Sequence, residues 1–148
     1  MTLQRNLRLM RVIAVILVFS LMLPCAVSAA TISPAQPYGS KYLTSYSAYV
    51  YVTPTGEVQV WFDVMGTGDM DEIGSLRIVL YESCDNTNWT KETTFLHDKT
   101  SGMLFKNDYY VSSHVTWPYG STQRQYKAYV CVWAGKNGDG DARYFWAY

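Results

Sequence analysis

The chain has 148 residues, and its twelve acidic and twelve basic side chains give no net formal charge. All twelve acidic residues but only nine of the basic ones lie beyond residue 30, so that part of the chain carries about −3. An acidic chain without a basic stripe excludes nucleic acid as a partner, and its length predicts a single domain.

Residues 1–30 predict a cleavable signal peptide. Three arginines precede an apolar run over 12–23, and small residues at 26–30 offer a cleavage site. The run is shorter than the about 20 apolar residues that a spanning helix needs. We therefore expect a secreted, extracellular protein with no membrane span after cleavage. A short flexible arm over 31–40 would then precede the domain over 41–148.

The cysteines suggest one disulfide. Cys25 belongs to the predicted leader, where Pro24 disfavours a lipid anchor. Cys84 and Cys131 are then the remaining pair, and a pair in an exported chain usually forms a bridge. Such a bridge would contribute about 4 kcal/mol in the chain-entropy model. The alternative is two separate, buried free thiols.

Beyond residue 40 the dominant hydrophobic period is two, which predicts strands with one buried face. No stretch there has an apolar stripe of helical period. Turn pairs that favour positive φ occur at Asn137-Gly138 and Asp139-Gly140, and Gly56 ends a short hairpin turn. About seven short strands and no helix predict an all-β, antiparallel β-sandwich. The predicted strands cover, in chain order, 43–52, 57–65, 76–81, 89–97, 109–117, 126–134 and 143–148.

The segment from Tyr126 to Ala134, with Asn137 and Gly140 after it, resembles the penultimate strand and turn of fibronectin type III and related immunoglobulin-like sandwiches. The resemblance covers about fifteen residues. It implies that the hydroxyl of Tyr126 ties down a corner of the sandwich, and that the strands carrying the two cysteines are neighbours in one sheet. It implies nothing about function.

A second resemblance covers nearly all of the chain beyond residue 40. The segments that carry it are 42–46, 66–74 with the sequence GTGDMDEIG, 81–85 and Trp89. They are similar to a family of small, uncharacterised secreted proteins of Gram-positive bacteria. This resemblance implies a small, secreted β domain and supplies no catalytic or binding residue.

Two acidic segments offer oxygen ligands of the kind that calcium prefers. Asn137, Asp139 and Asp141 occupy alternate positions, although the glycine and the final glutamate of an EF-hand loop are missing. Asp69 and Asp71, with Glu72, form a second cluster between two predicted strands. A glycine-rich hairpin and a solvated loop explain both segments without a metal, so we predict no cofactor.

The sequence offers little for catalysis. His97 and His114 are the only histidines, and no nucleophile or phosphate-binding motif surrounds them. Nothing selects a catalytic pair among the carboxylates Glu57, Asp63, Glu82 and Glu92. We therefore expect a protein that is not an enzyme. A small hydrolase whose site forms only in the folded chain is one alternative, and a structural component of the cell surface is another.

Aromatic side chains remain the strongest indication of function. Trp61 lies opposite the aliphatic face of its predicted strand, and Tyr129 and Trp133 lie opposite Val130 and Val132. Aromatic rings on a polar face suit recognition of a ligand. The alternative is that they stabilise the sheets as cross-strand pairs. We predict a non-catalytic binding module for an extracellular glycan or protein, with these three residues as candidates.

Overall fold

The computed structural model describes residues 40–148. The predicted signal peptide lies outside the described residues, and so does the predicted arm apart from Ser40. Every regular element between residues 40 and 148 is a strand, so this part has no helix that could cross a membrane. The strands are β1 (Leu43–Val52), β2 (Val58–Met70), β3 (Glu72–Ser83), β4 (Thr90–Leu96), β5 (Leu104–Phe105), β6 (Asp108–Trp117), β7 (Gln125–Lys136) and β8 (Asp139–Ala147).

The strands form two antiparallel sheets that pack face to face, which confirms the predicted β-sandwich. One sheet has three strands in the order β1-β2-β6. The other has five, with β4-β3-β7-β8 as its path and the two-residue β5 paired to β3. All seven predicted strands are present, and β5 is the additional one.

The core lies between the sheets and follows the period of two. Val60 and Phe62 of β2 face Ile78 of β3 and Val130 of β7, and all four side chains are buried. Burying a side chain such as that of Phe62 contributes roughly 1.5–3 kcal/mol. Alternate residues of the same strands therefore point away from the core, toward the two outer faces of the sandwich.

The β7–β8 connection is a tight hairpin turn. Asn137 and Gly138 both have positive φ, at 56° and 78°, as a type I′ turn requires. The prediction that Asp139-Gly140 is also a turn is wrong, because Asn137-Gly138 already reverses the chain. Asp139 and Gly140 are instead the first residues of β8.

The implied tyrosine corner is present. The Tyr126 hydroxyl accepts a hydrogen bond from the Ser121 amide at 2.8 Å and donates one to Glu82 Oε2 at 2.8 Å. Burial and the Glu82 carboxylate raise the pKa of Tyr126 to about 12. This contact anchors the loop between β6 and β7, where the chain crosses from one sheet to the other.

The predicted Cys84–Cys131 disulfide is not formed, and both residues are free thiols. Their strands are neighbours, as the resemblance implies, but Cys131 pairs with Arg77. Cys84 follows the end of β3, seven residues beyond Arg77. This register separates the two cysteines by roughly 23 Å along the strands, several times what a disulfide allows. Cys131 is buried and Cys84 is exposed.

Candidate functional site

The three predicted binding residues lie on two opposite faces. Trp61 is on the outer face of the three-stranded sheet, whereas Tyr129 and Trp133 are on that of the five-stranded sheet. Tyr129 and Trp133 are four residues apart on β7, a distance of roughly 13 Å along the strand. The structure therefore brings two of the three candidates to one face.

Trp61 is held between two cross-strand partners. Its ring stacks on that of Tyr49 from β1, with 6.3 Å between centroids, and on that of His114 from β6 at 4.2 Å. Its indole N–H donates to Gln59 Oε1 at 3.0 Å. Neighbouring rings therefore cover Trp61 from both sides, which is the sheet-stabilising arrangement that the sequence left as the alternative.

Tyr129 belongs to a cluster of rings on the outer face of the five-stranded sheet. We call this cluster the outer aromatic patch, and it consists of Tyr81, Tyr129, Tyr144 and Trp146. Ring centroids in the patch lie 5.0 Å apart for Tyr129 and Trp146, and 5.9 Å apart for Tyr129 and Tyr144. Tyr81 contacts Trp146 at 5.4 Å. Tyr144 is 54% exposed and Trp146 36%, so the patch is open to solvent.

Two cations lie among these rings. The Lys127 ammonium is 4.1 Å from the ring centroid of Trp89 and 4.7 Å from that of Trp146. The Arg77 guanidinium is 5.9 Å from the centroid of the Tyr144 ring. These contacts restrict the rings and place hydrogen-bond donors beside them.

Trp133 borders a cleft of about 470 Å³ at one end of the same sheet, which we call the Trp133 cleft. Three connections meet there: the one between β2 and β3, the turn between β5 and β6, and the β7–β8 hairpin. The lining residues are Asp71, Glu72, Lys106, Asn107, Trp133, Gly135, Lys136, Gly138 and Asp139.

The Trp133 indole lies over two glycines. Its cross-strand neighbours are Gly74 and Ala142, which carry little or no side chain. A Cβ added to Gly135 would come within 2.8 Å of the indole, and one added to Gly140 would come closer still. The indole N–H is buried and has no hydrogen-bond partner among the described residues. Trp133 therefore differs from Trp61 in both its packing and its hydrogen bonding.

Asp71 holds the three connections together. Its carboxylate accepts a hydrogen bond from the Asn137 amide at 2.6 Å, and its carbonyl oxygen accepts one from the Asn107 amide at 3.4 Å. Asp71 and Asn137, which the sequence placed in separate metal clusters, thus meet at the cleft. Here Asp71 links the turns at Asn107 and Asn137 through hydrogen bonds.

Two further predicted calcium ligands, Asp139 and Asp141, have protein partners. Asp139 accepts hydrogen bonds from the Tyr42 hydroxyl and from Lys41, which lower the pKa of its carboxyl. Asp141 accepts from Ser40 and from the Tyr42 amide, and its pKa is also lowered. Asp69 is exposed. Between residues 40 and 148, no three acidic, histidine or cysteine side chains are close enough to hold a metal ion.

The residues considered for catalysis are dispersed. His114 stacks on Trp61, and His97 is exposed beyond the end of β4. Glu82 accepts the Tyr126 hydrogen bond, and Asp63 accepts one from the Tyr110 hydroxyl at 3.1 Å. The described chain shows no side-chain hydrogen bond from either histidine to a hydroxyl, thiol or carboxylate.

Several residues of this face were not predicted. Tyr144 and Trp146 alternate with Phe145 and Ala147, so the period of two in the last strand could have indicated them. Lys106 and Asn107 show no such signal, because the fold brings together turns that are distant in the chain, whereas Glu72 belongs to the predicted acidic cluster.

Comparisons with known proteins add no functional assignment. No protein-family model, curated protein or solved structure matches the chain. The outer aromatic patch and the Trp133 cleft are the two features of this face that could bind a ligand.

Proposed function

We propose that this protein is a secreted, non-catalytic binding module that recognises an extracellular glycan on the outer face of its five-stranded sheet. The observation that carries this proposal is the outer aromatic patch, in which the rings of Tyr144 and Trp146 remain exposed beside charged side chains. A contiguous exposed apolar patch with a polar rim is typical of a recognition surface.

A glycan fits the chemistry of this surface. The C–H groups of a sugar ring pack against an aromatic plane, and its hydroxyls need hydrogen-bond partners at the edge. Tyr144 and Trp146 supply the planes, while Arg77 and Lys127 supply donors next to them. Tyrosine and tryptophan also provide contact area with few rotatable bonds, so binding orders little of the protein.

The scaffold is already ordered for binding. The four rings project from β3, β7 and β8, which are joined by continuous antiparallel ladders. Rigid strands hold the rings at fixed spacing before any ligand arrives, and such preorganisation lowers the entropic cost of association.

Retention on insoluble polysaccharides tests the proposal. The secreted protein is incubated with cellulose, chitin, xylan, mannan and peptidoglycan, and the bound fraction is measured. We expect at least one polymer to retain it. Tyr144→Ala should weaken retention about tenfold, as loss of a central aromatic contact does. The matched control is Tyr51→Ala, because Tyr51 is 45% exposed and lies on the opposite sheet. Equal retention of the two variants, or no retention of the parent protein, would contradict the proposal.

A protein ligand is the second candidate, because Tyr, Trp and Arg together are also enriched at protein interfaces. Arg77 beside Tyr144 is the observation that favours it. In that case Tyr144→Ala would abolish capture of a defined extracellular protein, and none of the five polysaccharides would retain the parent chain.

A further inference from the structure

We infer that the Trp133 cleft is a second subsite on this face, built for a single uncharged sugar ring at the end of the glycan bound by the outer aromatic patch. This inference rests on the proposed function and adds the position and the chemical class of the bound unit. It depends on four features of the cleft: the Trp133 ring that forms its floor, the unpaired N–H of that ring, the charged residues that line the cleft, and the position of the cleft relative to the outer aromatic patch.

The floor of the cleft is an indole with one face available. One face of the Trp133 ring lies over Gly135 and Gly140, where no side chain intervenes. Its cross-strand neighbours, Gly74 and Ala142, carry no ring that could stack on it. The side chain remains partly exposed, so part of the indole is open to the flat apolar side of a sugar ring.

The Trp133 N–H gives the cleft a polar group that needs a partner. It is buried and has no acceptor among the described residues, an arrangement that folded proteins generally avoid. The N–H lies against Gly135, so a hydroxyl or ring oxygen of a bound sugar would accept this hydrogen bond after the indole shifts to expose it. That hydrogen bond would remove the cost of leaving the donor unpaired.

The charges that line the cleft favour an uncharged ligand. Three acidic residues, Asp71, Glu72 and Asp139, and two basic ones, Lys106 and Lys136, line the cleft, so both signs are present. Asp71 and Asp139 already have protein partners, whereas Glu72, Lys106 and Lys136 form no ion pair within residues 40–148. Together with the Asn107 amide they offer donors and acceptors, which suits hydroxyl groups. The volume of about 470 Å³ lies within the range of small-molecule sites.

The position of the cleft connects it to the patch. Trp133 and Tyr129 point to the same side of β7, roughly 13 Å apart. A chain of several sugars lying along β7 would therefore contact the patch with its interior units and place its terminal unit over Trp133.

The indole N–H resonances of the ¹⁵N-labelled secreted protein test this subsite directly. Five tryptophans give five signals, and the Trp133 signal is the one lost in Trp133→Phe. The probes are glucose, galactose, mannose and N-acetylglucosamine, with glucuronate and glucosamine as charged analogues. We expect a neutral sugar to shift the Trp133 signal downfield in a saturable manner. The Trp61 signal is the internal control, because its N–H already binds Gln59.

A second variant measures the contribution of the lining. Asn107 has φ 55°, so Asn107→Gly removes the amide and keeps a residue that tolerates this conformation. We expect about tenfold weaker sugar binding, which corresponds to the loss of one hydrogen-bonding group, with an unchanged melting temperature.

Two results would overturn the inference. One is an unmoved Trp133 signal with all four neutral sugars, and the other is tighter binding of a charged analogue than of any neutral sugar. If the Trp133 signal stays unmoved while Tyr144→Ala still weakens polysaccharide retention, only the subsite is refuted. If it shifts while Tyr144→Ala has no effect, the subsite stands and the role of the patch is refuted.

Discussion

Trp61 and Trp133 occupy equivalent positions in their sheets but have different neighbours. Each points outward from an interior strand of its sheet, and each is half-buried. The cross-strand neighbours of Trp61 are Tyr49 and His114, which stack on its ring. Those of Trp133 are Gly74 and Ala142, so its ring lies down over the hairpin instead.

The cross-strand neighbours of each tryptophan decide how its ring packs. A ring with aromatic partners on both sides and a bonded N–H contributes mainly to stability. A ring on a glycine floor with an unpaired N–H is the one for which we propose a ligand. The two faces of the sandwich should therefore respond differently to substitution.

The largest effect is expected from filling the glycine floor. In Gly140→Ala the new methyl group would overlap the Trp133 ring and lie 2.8 Å from the Ala134 carbonyl oxygen. We expect the free energy of unfolding to fall by about 3 kcal/mol, which is at the upper end for overpacking. We also expect sugar binding in the cleft to be lost. Urea denaturation and the Trp133 N–H signal measure the two effects. Gly68→Ala is the control, since a Cβ at Gly68 meets nothing within 4 Å. Equal stability of the two variants would show that Trp133 does not occupy this floor.

The next largest effect compares the two tryptophans. Trp61→Ala removes two stacking contacts and should lower the free energy of unfolding by about 2 kcal/mol. Trp133→Ala should cost about 1 kcal/mol, because removing its unpaired N–H offsets part of the lost packing. Chemical denaturation of both variants gives the difference. Equal losses would remove the distinction between the two faces.

The strands and their faces could be predicted from the sequence because they depend on local alternation. Val58, Val60 and Phe62 alternate with Gln59 and Trp61, and the structure buries the first set. The same alternation correctly placed Tyr129 and Trp133 on an outer face. These assignments need no knowledge of which strands are paired.

The candidate site could not be predicted because it depends on register and on distant turns. Pairing of Trp133 with Gly74, and not with a bulky residue, follows from the alignment of β3 with β7. The same alignment separates Cys84 from Cys131, which is why the predicted bridge fails. The cleft itself requires Asp71 to meet turns at Asn107 and Asn137.

A third prediction concerns the corner between the two sheets. A substitution at this corner should affect neither aromatic face. Tyr126→Phe loses the hydrogen bonds to Ser121 and Glu82 and should cost about 1.5 kcal/mol. The pKa of Tyr126 is raised from 10.0 to about 12 in the folded state, so folding favours the protonated phenol. The contribution of the protonated phenol to the free energy of unfolding is complete below pH 10 and is lost as the pH rises toward 12.

Denaturation of the parent protein between pH 10 and pH 12 measures this loss. Tyr126→Phe should show a shallower decline across the same range, because it lacks the ionising group. Parallel declines would show that the hydroxyl is not held as described. The Trp133 N–H signal should stay unchanged in the variant, which separates the corner from the cleft.

The smallest effect is expected at the cation within the outer face. Lys127→Met keeps the apolar stem and removes the ammonium that lies near Trp89 and Trp146. Loss of a solvent-accessible cation–π contact should lower stability by about 0.5–1 kcal/mol. Lys91→Met is the matched control, because Lys91 also pairs with Tyr81 in the sheet, whereas its ammonium makes no cation–π contact within residues 40–148. A larger loss in Lys91→Met than in Lys127→Met would mean that packing among the rings alone orders this face. The two outer faces would then be stabilised in the same way and would differ only in the glycine floor beneath Trp133.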